Sequence, residues 1–109
     1  MSNNLTILAG ATAYRHIKEN GLSPDDIDAM LGASGAAKWI CIYGLDSAIF
    51  SQWFSGRTRP LHLFGTSIGA WKFAAAAQTN CREAFDRLKH AYIHQHYKGS
   101  VSTVQISRE

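Results

Sequence analysis

A chain of 109 residues has room for one domain with a modest core. Its apolar share of 46% and charged share of 17% are those of a globular protein and exclude a disordered or fibrous chain. The net charge of +3 comes from scattered basic residues, and the nearest thing to a patch, Arg57, Arg59 and His62, reads as a solvated loop, so no nucleic-acid partner is expected.

Met1-Ser2-Asn3-Asn4 carries no basic region, and the apolar run after it is too short for an export signal. No stretch approaches the length of a membrane span, so the expected compartment is the cytoplasm. Residues 5–9 are apolar and read as a first strand, with Gly10 as its turn. Residues 11–20 read as an amphipathic helix with Ala13, Tyr14 and Ile17 inward, stopped by Gly21. Ser23-Pro24-Asp25-Asp26 is a helix-start signal: a cap, a proline in the first turn, then acids at the positive end of the helix dipole.

Residues 27–31 read as a second strand, followed by the small-residue turn Gly32-Ala33-Ser34-Gly35-Ala36-Ala37-Lys38. A long helix is expected next, because Ala37, Ile40, Cys41, Gly44, Leu45, Ala48, Ile49 and Trp53 recur at three and four. That period predicts Ile40, Cys41, Leu45 and Ile49 buried, with Lys38 or Asp46 exposed. Gly56 and Pro60 bracket a loop to a third apolar strand, residues 61–64. Gly65-Thr66-Ser67-Ile68-Gly69 fits G-x-S-x-G, and the alanine-rich residues 70–78 read as the helix after it. Asn80-Cys81-Arg82-Glu83 is a capping-box signature. It opens a helix with Ala84, Phe85, Leu88, Ala91 and Tyr92 inward, ending near Gly99. Residues 100–109 are polar and carry no terminating signal. The two cysteines, Cys41 and Cys81, suggest neither a disulfide framework nor a zinc ligand set, and no metal or cofactor is expected.

The order βαβαβαα predicts an α/β fold: a three-layer parallel sheet with flanking helices. The turns at Gly10, at residues 32–37 and at residues 65–69 then share the carboxyl end of the sheet, where ligands bind in such folds. Strand, sharp turn and helix around Ser67 are the context of a nucleophile elbow, in which Gly65 and Gly69 leave room for a tight bend. Ser67 is the candidate nucleophile. Ser34 is a second, though it better fits a cap on the long helix. The free backbone N–H groups of Gly35, Ala36 and Ala37 could hold an oxyanion. A base is harder to find. His90, His94 and His96 fit by chain order, and His90 and His94, four apart, also suit a metal. A solvated helix surface explains the same histidines.

These motifs resemble the patatin-like phospholipase family, in particular its bacterial branch of acyl hydrolases. Gly65-Thr66-Ser67-Ile68-Gly69-Ala70-Trp71 resembles that branch's elbow, Gly32-Ala33-Ser34-Gly35-Ala36-Ala37-Lys38-Trp39 its glycine-rich loop, and Tyr92-Ile93-His94-Gln95 part of its last helix. The resemblance places Ser34, Gly35 and Ala36 at the loop's three glycines and Lys38 at its arginine. It implies a serine acyl hydrolase acting on lipid esters through a Ser–Asp dyad, with Ser67 as nucleophile and Gly35, Ala36 and Ala37 as the oxyanion loop. The dyad acid of that family sits in a later Asp-Gly turn. No aspartate here is followed by glycine, so the chain would be the N-terminal part of a single patatin-like domain and poorly active alone. The implied partners are a lipid or acyl-ester substrate and a transient membrane surface. Two other classes stay open: a non-catalytic α/β module that binds an anion or a partner chain, and a fragment that self-associates through an open sheet edge.

Overall fold

The computed structural model describes residues 4–95. The capping residues act where the sequence places them. Helix α1 spans Ala11–Asn20 and stops at Gly21, whose φ of 76° a side chain would resist. A short 3₁₀ turn, Pro24–Asp26, is closed by Ser23. Its hydroxyl accepts the Asp25 N–H at 3.3 Å, and the Asp26 carboxylate accepts the Ser23 N–H at 2.8 Å. Strand β1 covers Ala29–Gly32 and strand β2 His62–Gly65. They pair in parallel, Ala29 opposite His62 through Gly32 opposite Gly65.

Between the strands, residues 36–53 form one helical run in three geometries. The 3₁₀ segment Ala36–Ile42 passes into helix α2, Tyr43–Ala48, and then into the π segment Ile49–Trp53. Helix α3 is Ile68–Ala76 and α4 is Cys81–His94. Asn80 caps α4 by accepting the Glu83 N–H at 3.3 Å. Glu83 answers through the Asn80 side-chain amide at 3.0 Å rather than through its backbone N–H.

The core lies between α3, α4 and the helical run. Phe85 is fully buried and packs with Ala75 and Ala84, and Tyr43, Phe50 and Leu88 close around them. Phe50 is the hub: its ring centre is 5.8 Å from that of Phe54, and 5.9 Å from those of Phe73 and Phe85.

This architecture corrects the expected fold. Helix makes up 59% and strand 9% of the described residues, and the sheet has two strands, not the layered multi-stranded sheet. Among the described residues nothing pairs with residues 5–9, which are exposed, with Leu8 at 90%. An apolar run becomes a strand only when a partner takes its main-chain hydrogen bonds, and among the described residues none does.

The helical run also turns a different face inward than its aliphatic stripe predicts. Trp39, Asp46 and Phe54 are buried and Tyr43 and Phe50 half-buried, while Cys41 and Leu45 are exposed and Ile40 and Ile49 half-buried. The aromatic series 39, 43, 50, 54, with Asp46 on the same face, has helical spacing too, and its larger side chains remove more apolar area from water. Lys38 is exposed as expected, whereas Asp46 is buried. Of the inward set on α1, Ile17 is half-buried while Ala13 and Tyr14 are exposed, Tyr14 at 58%, and no residue is fully buried. Of the inward set on α4, Ala84 and Phe85 are buried, Leu88 and Tyr92 half-buried, and Ala91 exposed. The helix ends at His94. Gly99, where its end was expected, His96 and residues 100–109 lie outside the described residues.

Candidate functional site

β1 and β2 end in register, so the two small-residue turns leave the sheet side by side. The Thr66 N–H donates to the Gly32 carbonyl at 3.0 Å and locks one turn to the other. Glycine is required where they meet. A Cβ on Gly69 would overlap the Gly32 carbonyl oxygen, and one on Gly65 would stand 2.5 Å from the Ala70 nitrogen. Helix α3 can therefore begin directly on the strand ends.

Two residues in these turns hold a left-handed backbone without being glycine: Ala36 at φ 46° and Ser67 at φ 52°. Each such residue costs of order 1–3 kcal/mol, which the surrounding packing must supply. Gly35 is extended at φ 177°, and its carbonyl accepts the Lys38 N–H at 3.0 Å. Ala36, Ala37 and Lys38 are exposed and Gly35 half-buried. Beside the turns lies an open cleft of about 720 Å³, lined by Leu31, Gly32, Ala33, Leu63, Phe64, Gly65 and Thr66.

The structure brings the turns together but assembles no Ser–Asp arrangement around Ser67. That residue is exposed at the bend before α3, and among the described residues its hydroxyl has no hydrogen-bond partner. The carboxylates are engaged elsewhere: Asp26 by Ser23 and His16, Asp28 by Arg59, and Asp46 by Lys72. Asp25 and Asp86 are exposed. His90 and His94 stack on each other, ring centres 4.2 Å apart, on the exposed side of α4. Among the described residues no three metal-ligating side chains come together. A hydroxyl with no base beside it is a weak nucleophile. The acyl-hydrolase reading of the residues, and the lipid-metabolic role that came with it, are therefore corrected. So is the patatin-like resemblance, whose multi-stranded sheet core is replaced by a two-stranded open sheet.

Two structural groups escaped the sequence reading. Arg57 reads as a solvated loop residue, yet its guanidinium donates to the carbonyls of Pro24 and Ile27, both at 2.6 Å, and of Arg59 and Pro60. It ties the approach to β2 onto the approach to β1. Lys72 and Asp46 form a buried pair at 3.0 Å that joins α3 to α2. Here a signal exists: Lys72 is the lone charge in the apolar run Ile68-Gly69-Ala70-Trp71-Lys72-Phe73-Ala74-Ala75, and a buried charge demands a partner.

Among the described residues no helix is long and apolar enough to cross a membrane. Compared with family models, with curated proteins and with solved structures, the chain has no match.

Proposed function

We propose that the chain is a non-catalytic α/β binding module whose open sheet receives a partner chain. One observation carries this reading: the sheet has a covered face and a bare one. The Cβ direction of Gly32 points at Phe73 and Gly69 of α3, so Gly32, Met30 and Leu63 belong to the α3 side. Leu31 and Phe64, paired with each other, belong to the opposite side, where they are 83% and 60% exposed. Covering such side chains is worth about 1.5–3 kcal/mol each.

The strand edges are open as well. Asp28 and Gly32 accept hydrogen bonds from His62 and Thr66, so the alternate residues Ala29, Leu31, Leu63 and Gly65 aim their main-chain groups outward. An unpaired edge beside an apolar face is a template for an added strand. An anion is the weaker ligand for the site, because the buried cation on α3, Lys72, is already paired with Asp46.

The reading is tested by a photo-crosslinking phenylalanine analogue at position 64 of the full chain, compared in the expressing cell with one at the exposed position 86 on α4. Polypeptide adducts are expected from position 64 well above those from position 86. Equal yields from the two positions would overturn the reading.

A further inference from the structure

Resting on that reading, we infer that the partner is a second copy of this chain, and that residues 4–20 of each copy form an arm that docks on the open sheet of the other. The arm and the sheet are each incomplete in a way the other completes. Residues 5–9 are mostly apolar, lack glycine and proline, and among the described residues stand unpaired, with Leu5, Ile7 and Leu8 exposed at 70%, 49% and 90%. From Asn4 to Tyr14 there is no charged side chain to resist docking. Helix α1 follows at once and buries no residue, although Tyr14 and Ile17 give it an apolar side. The sheet, for its part, has among the described residues neither a third strand nor a layer over Leu31 and Phe64. A strand followed by a helix is the unit that supplies both.

The dimensions agree. Five extended residues span about 16 Å, enough to run the length of a four-residue strand at about 3.3 Å per residue. Covering Leu5, Ile7, Leu8, Leu31 and Phe64 would bury on the order of 600 Å² per copy, about 1,200 Å² in all, which is the low end of a standard-size interface. Phe64, 60% exposed, is an aromatic anchor of the kind such interfaces favour. Exchange between two copies is reciprocal, closes on a two-fold axis and leaves neither arm spare. In this conformation the arm leaves Leu31 and Phe64 of its own sheet exposed. His16 Nε2 bonds to the Asp26 carboxylate at 3.0 Å and, with the Ser23 cap, sets the direction in which α1 leaves the domain.

The test is sedimentation velocity on three full-length proteins: wild type, the arm variant Leu5→Asp with Ile7→Asp, and the sheet variant Leu31→Lys with Phe64→Lys. All four positions are exposed, so each variant should fold, which circular dichroism checks. Wild type should sediment as a dimer and each variant as a monomer. An equimolar mixture of the two variants should recover a dimer, because one intact arm then meets one intact sheet. A wild type that stays monomeric at about 100 µM, roughly a hundredfold above a micromolar Kd, overturns arm exchange. So does a dimer that survives in the arm variant, or a mixture that recovers none. If the sheet variant also stays dimeric, the open sheet is not the docking surface, and the binding reading falls with it. If the arm variant alone stays dimeric, the sheet still binds and only the arm is wrong.

Discussion

Helices α1 and α4 show how differently two amphipathic segments of one chain can fare. Both carry capping signals and apolar positions at helical spacing. Helix α4 closes on α3 and the helical run, and its Phe85 has no exposed surface. Helix α1 half-buries Ile17 alone and is tied to the rest by the His16–Asp26 bond. Local pattern makes a helix able to pack, but a facing apolar surface decides whether it does. Within the described residues α4 has such a surface. For the arm, residues 4–20, the described residues offer none, which is why that arm is the natural candidate for an intermolecular contact.

The sharpest way to break this contrast is at Phe85. Phe85→Ala should cost about 3–5 kcal/mol in denaturant unfolding, because it opens a cavity among Phe50, Ala75 and Leu88. Lys72→Met should cost about 3 kcal/mol in the same measurement, since it leaves the buried Asp46 carboxylate without its partner. A loss below about 1 kcal/mol in either variant would mean that the α3–α4 region is not the stable part of the molecule.

The smallest effect belongs to the arm and is a pH effect. The Asp26 carboxyl lies below its ordinary value of 3.8, chiefly because the Ser23 N–H donates to it and secondarily through His16. A lowered carboxyl stabilises the folded form above the ordinary value, and this stabilisation is lost as pH falls through the folded value. An NMR titration of Asp26 should show a midpoint under 3.8. Amides near the base of α1 should lose protection over the same range while those of α4 do not. A midpoint at or above 3.8 would remove the anchor that sets the arm's direction.

Much of the local structure is legible in the residues. Ser23, Gly21 and Asn80 end or begin elements as their chemistry dictates, and Gly65 and Gly69 mark a bend that only small residues permit. The convergence of the two turns at one end of the sheet is also legible, because parallel strands bring their carboxyl ends together. The chemistry at that end is not. A G-x-S-x-G motif places Ser67 at a bend, but a base must arrive from elsewhere in the fold, and here the carboxylates that are bonded have other partners.

By itself, then, the sequence determined where this chain turns, where its helices start, and that β1 and β2 run parallel with a helical crossover. Each of these follows from backbone and capping energetics within a few residues. Only the tertiary structure decided which face of residues 36–53 is buried, since two apolar series share its helical period and the aromatic one, 39, 43, 50 and 54, found α3 and α4 to pack against. It also decided that Lys72 and Asp46 meet and that residues 5–9 find no strand partner among the described residues. The physical reason is common to all three. Burial, charge pairing and strand pairing need a partner distant in sequence, and the pattern of one segment carries no record of what will stand opposite it.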